Sequence, residues 1–146
     1  MSALNWTVFV SEPDRYTYAH VNLVRRTVPP EPNEQTGFIA RLNAAYRPLA
    51  DAAWLQAPRY GARPDEAALA LEAYTQPAFA FFRWFAAYPA VLGLDRGNPE
   101  SCVWFHDLRF ITPGRDGTPF QYGMCRERAG NWIPFQLLGS FRRAVY

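Results

Sequence analysis

The chain has 146 residues, 49% of them hydrophobic and 16% aromatic, and a formal net charge of +2. That length suits one domain with its own core. The basic residues are fifteen Arg and no Lys, scattered along the chain without a stripe for phosphates, so nucleic-acid binding is not expected.

NWTVFV, SEPDR and YTYAHVNLV follow one another from Asn5. The outer pieces have strand composition and the middle has turn chemistry, which predicts a β-hairpin. In its second strand Thr17, Ala19, Val21 and Leu23 form the expected core face. Tyr16, Tyr18, His20 and Asn22 form the other, as candidates to line a groove. Residues 25–37 read as an extended, proline-rich loop. Arg41 to Gln56 has helical composition interrupted by Pro48, with a short helix expected after Arg47.

RPDEAALALEAYT predicts a helix from Pro64 to about Tyr74. Pro64 suits its first turn, and Asp65 and Glu66 suit the positive end of its dipole. Thr75 is the expected cap of a second helix, QPAFAFFRWFAAYPAVL, in which Arg83 is the only charge. A helix apolar all round is read as buried under a sheet, in preference to lying on a membrane surface. No run of eighteen apolar residues is present to span a bilayer, and no signal peptide is visible.

After a loop at Asp95–Ser101, CVWFHDLRFITPGRDGTPFQYGMCRER alternates as two strands around Asp116–Gly117, a strong hairpin signal. NWIPFQLLG reads as a last edge strand, since Pro134 disfavours a central one. This order predicts an α+β domain over residues 1–146: one antiparallel sheet of four to five strands, built on two hairpins, with two to three short helices packed on one face.

A bend at Asp116–Gly117 puts Asp107 opposite Arg126 and His106 opposite Glu127. Opposite charges and hydrogen-bonding partners favour that register. The acids and bases of this segment are therefore expected mainly to satisfy one another. The catalytic alternative makes His106 a general base oriented by Asp107 or Glu127, with Arg109 or Arg126 holding an anionic substrate. His20, Tyr16, Tyr18 and Arg126 are the candidate binding residues. In the same register Cys102 and Cys125 are too far apart for a disulfide, so free, buried thiols are expected, with a slight lean toward the cytoplasm. Two Cys and two His with no CxxC or HxxxH spacing give no metal site.

LNWTVFV, DRYTYAHVNLVRR, FAFFRWFAAYP and above all the WFHDLRF and FQYGMCRE pieces resemble a bacterial family over about Leu4 to Gly139. The chain is similar to the C-terminal soluble region of inner-membrane-associated metal-dependent hydrolases of the LexA-regulated type. The resemblance implies a parent anchored in the bacterial inner membrane by an N-terminal transmembrane region. It also implies a divalent metal held by a His-rich motif in that region, and neither is in this sequence. The chain is thus expected to be an excised accessory or binding domain without a metal ligand or cofactor of its own.

Overall fold

The computed structural model describes residues 4–97, 101–115 and 117–145. The fold is α+β and divides into two compact units. Unit 1 is Met1–Ala57 with Ile111–Gly117, and unit 2 is Pro58–Phe110 with Thr118–Tyr146.

In unit 1 the predicted first hairpin is present. β1 (Asn5–Ser11) pairs antiparallel with β2 (Arg15–Asn22), Phe9 opposite Tyr18 and Trp6 opposite Val21. The helix of this unit is α1 (Phe38–Ala44), before Arg47 and not after it; beyond Pro48 there is only a 3-10 turn at Leu49–Asp51. Proline disfavours helical backbone in the residue ahead of it, and Arg47 is used instead as a short parallel partner of β2. Its N–H donates to the His20 carbonyl at 3.2 Å, and its carbonyl accepts from the Asn22 N–H at 2.8 Å. A third strand, β3 (Leu55–Pro58), completes the order β1-β2-β3 where helix was expected.

An amide ladder ties α1 to this sheet. Asn22 donates to Asn5 at 2.6 Å, Asn5 donates to Asn43 at 2.9 Å, and Asn43 donates to the Ile39 carbonyl at 2.8 Å. Both faces of β2 are covered, so Tyr16 and Tyr18 are buried along with Ala19 and Val21, whereas Leu23, expected in the core, is exposed.

Unit 2 opens with α2 (Pro64–Thr75), which has Pro in its first turn and Asp65 and Glu66 beside it, as the sequence predicts. Thr75 closes this helix and does not cap the next: its hydroxyl donates to the Leu71 and Glu72 carbonyls. The apolar run that follows is not one helix. A 3-10 turn at Pro77–Phe79 leads into α3 (Ala80–Phe85), and then β4 (Pro89–Arg96) begins. Pro89 favours extended backbone at Tyr88 and so helps end the helix.

β4, β5 (Ser101–Asp107), β6 (Gln121–Arg126), β7 (Trp132–Leu138) and β8 (Phe141–Ala144) form a five-stranded antiparallel meander in chain order. The described strands therefore make two sheets and not one. β7, expected at an edge, is central. Pro134 is tolerated there because its carbonyl accepts from the Val145 N–H at 3.0 Å, which places its missing donor on the β8 side where that ladder ends.

The helices cover one face of this sheet: Ala70, Ala73, Phe79 and Phe82 pack with Val103, Phe105 and Met124. Cys102, Trp104 and Cys125 pack with Phe135 and Leu137 in a second cluster. Gly123 lies opposite Trp104, and a Cβ there would fall 2.3 Å from the indole, so no larger residue fits without moving the ring.

The hairpin register differs from expectation. Cys102 lies opposite Cys125 and the two form a disulfide, S–S 2.05 Å and Cα–Cα 4.0 Å, in place of the expected free thiols. The premise for the lean toward the cytoplasm falls with them. Arg126 sits opposite Ser101, and Asp107 pairs with Pro89 on β4. The cause is at Asp107, whose carboxylate accepts the Arg109 N–H at 3.0 Å, turns the chain into a 3-10 turn at Leu108–Phe110 and ends β5 early. Asp116 of the expected two-residue bend lies outside the described residues. The slip is by an even number of residues, so Trp104 and His106 keep one face and Phe105 and Asp107 the other.

Candidate functional site

Asp107 is completely buried, and its carboxylate is fully engaged. Its oxygens accept from the backbone N–H of Ala87 at 2.9 Å, Tyr88 at 3.3 Å and Arg109 at 3.0 Å, and from Arg109 Nε at 2.8 Å. Arg109 Nη2 lies 2.6 Å from the same carboxylate and also donates to the Phe85 carbonyl at 2.7 Å. Its guanidinium stacks over Phe85 and Phe110. Two of the three catalytic candidates are thus joined to each other and to the chain turning out of α3.

His106 is buried on the opposite face of β5, with Nδ1 3.4 Å from the Thr118 hydroxyl, which accepts from Gln121. Burial holds its pKa below the ordinary 6.5, against a smaller upward pull from Asp107. Arg126 pairs with Glu72 of α2 at 3.3 Å and lies over Trp132, whose indole N–H donates to the same carboxylate. It braces α2 against β6 and β7. No Glu127–His106 pair forms.

Unit 1 contains a cavity of about 310 Å³. His20 and Leu55 line it from the strands, Arg41, Ala44 and Ala45 from α1 and its end, Arg47 from the bridge to β2, and Pro29, Pro30, Glu31 and Pro32 from the proline loop. Gly114 closes it. His20 is 6% exposed, with Nδ1 3.0 Å from the Thr7 hydroxyl and its ring set edge-on between Tyr18 and Tyr46. Burial lowers its pKa below 6.5 and raises those of Tyr18 and Tyr46.

Of the candidate binding residues, the structure brings only His20 to this cavity. Tyr18 supports its ring, Tyr16 is core, and Arg126 is in unit 2. Arg41, Arg47 and Glu31 were missed. Beyond His20, the sequence signal for the site is the proline cluster at 29–32, whose neighbours in the cavity come from distant segments.

Neutral burial of both histidines sets a pH dependence. The unfolded chain binds a proton on each near the ordinary value of 6.5, and the folded chain does so only at lower pH. Stability present above that value is lost as pH falls below it. Melting temperature is expected to drop between about pH 7 and pH 5, and His20→Gln with His106→Gln should flatten that slope. An unchanged slope in the double variant would mean that the histidines are not its source.

Among the described residues no group of three or more His, Cys, Asp or Glu converges, and the two histidines belong to different units. The side chains described do not fit a divalent-metal cage. No described helix is long and apolar enough to cross a membrane. Comparison with protein-family models, with curated proteins and with solved structures finds no match.

Proposed function

We propose that this chain is a non-catalytic binding domain, the accessory C-terminal part of a membrane-anchored parent of the metal-dependent hydrolase type it resembles. The chemistry of that parent, and its divalent metal, belong to the N-terminal region that the resemblance implies. The observation that carries this reading is the occupancy of Asp107: three backbone N–H groups and one guanidinium use its carboxylate for structure. A hydrolase built on His106, Asp107 and Arg109 would need at least one of the two charged groups free to act. The cavity of unit 1, by contrast, gathers ionisable side chains whose bonding is incomplete.

The membrane association of the parent is part of the same proposal. Tyr16, Tyr18, Phe79 and Phe82 give it no support, because they are buried in the core. The purified chain is expected to turn over nitrophenyl esters and phosphoesters no faster than its His106→Gln variant. Turnover that is lost in a folded His106→Gln variant would move the protein to the enzyme class.

A further inference from the structure

We propose that the cavity of unit 1 binds a compact oxyanion of the phosphate-monoester class, held by Arg41, Arg47 and His20. The proposal deepens the binding-domain reading and rests on it.

Charge selects the class of ligand. The ionisable lining residues are Arg41, Arg47, Glu31 and His20. Arg15, Arg63, Arg96, Arg109 and Arg126 all have a carboxylate within ion-pair distance. Among the described residues neither Arg41 nor Arg47 has one. Arg41 reaches only the Thr36 carbonyl, at 3.5 Å, the limit of a hydrogen bond. The guanidinium of Arg47 has no hydrogen-bond partner among the described residues. Two arginines therefore line one concave space together with a single acidic residue, Glu31. A cationic ligand is repelled there, and a ligand offering several oxygens suits two guanidiniums better than a neutral one.

His20 is a nearly buried side chain with half of its bonding used. Nδ1 meets the Thr7 hydroxyl, and Nε2 has no partner among the described residues. When Nδ1 accepts the Thr7 proton, Nε2 carries a hydrogen and can donate to an oxyanion. Tyr18 and Tyr46 each meet the ring edge-on.

The cavity volume of about 310 Å³ is at the small end for ligand pockets. Pro29, Pro30 and Pro32 stiffen one wall, and Ala44, Ala45 and Ala53 leave the others short. A wall fixed in advance reduces the ordering cost of binding. Gly114, at φ 72°, lies so close to Arg41 that an added Cβ would stand 3.2 Å from the Arg41 carbonyl, and this approach helps set the turn of α1 that carries the guanidinium.

The test is an amide chemical-shift titration of the full chain with inorganic phosphate. Saturable shifts are expected at Ala44, Ala45 and Gly114. Arg41→Ala and Arg47→Ala should each weaken binding about tenfold or more, the scale of a lost charge-assisted hydrogen bond. Arg26→Ala, an exposed arginine of the same unit outside the cavity, should leave it unchanged. Arg47→Lys, which keeps the charge, serves where Arg47→Ala unfolds and should weaken binding less.

Co-sedimentation with phosphatidylcholine vesicles, with and without phosphatidic acid, separates the sources. Binding that needs phosphatidic acid identifies a lipid headgroup, and phosphate binding without it identifies a soluble ligand. No cavity shifts with phosphate, or equal weakening by Arg26→Ala and Arg47→Ala, would overturn the oxyanion proposal. Glycerol occupying the cavity in place of phosphate overturns the oxyanion class and leaves the binding-domain reading standing. Turnover that depends on His106 removes that reading.

Discussion

Replacing Asp107 by Ala is expected to cost about 3–5 kcal/mol of stability, the scale of breaking one side of a buried ion pair. The carboxylate is the acceptor for the Ala87, Tyr88 and Arg109 N–H groups at the point where the chain leaves α3 and enters β4. Ala would leave those donors without their acceptor and Arg109 without its counter-charge. Asp107→Asn should cost less, since a carbonyl oxygen still accepts. Urea denaturation of the two variants measures both values. A folded, undiminished Asp107→Ala variant would show that the carboxylate is not structural and would reopen a catalytic role for it.

The second large effect is expected at Phe79. Its ring stacks on Phe82 at 4.8 Å and sits 5.4 Å from Phe105 and 5.7 Å from Phe81, with no exposure. Phe79→Ala should lose about 3–5 kcal/mol through lost burial and the cavity left behind. Trp84, five residues on in the same apolar run, is 88% exposed, and Trp84→Ala should stay within about 0.5 kcal/mol. Thermal or urea melts of both variants decide the matter. A neutral Phe79→Ala beside a costly Trp84→Ala would mean that this segment presents the opposite face to the core.

Local signals in the sequence were read best where the chain itself decides the structure. The first hairpin is set by alternation and turn chemistry. α2 is set by Pro64, the acids after it and an unbroken run of helix formers. The even-numbered slip of β5 against β6 left their faces correct because the apolar pattern fixes parity. Register itself was not legible. Asp107 ends β5 through a bond to the Arg109 N–H two residues on, and nothing in the alternation signals that a carboxylate will turn inward. The Cys102–Cys125 disulfide depends on that same register and was equally hidden. β4 was hidden inside an apolar run that periodicity cannot divide between helix and strand.

The candidate site was legible only in part. His20 was singled out for its strand face, but Arg41, Arg47 and Glu31 are brought together by tertiary folding. Sequence spacing carries no record of that convergence. His106, Asp107 and Arg109 drew notice because they are adjacent, and adjacency here reflects a turn that satisfies itself.

Amide chemical-shift mapping of the full chain against a panel of small anionic, cationic and neutral molecules tests the central claim most directly. Perturbations clustered at Ala44, Ala45, Arg47 and Gly114, with the Thr118–Gln121 surroundings of His106 silent, are the predicted outcome. Ligand-induced shifts concentrated at His106, Thr118 and Gln121, with the cavity of unit 1 unperturbed, would contradict it.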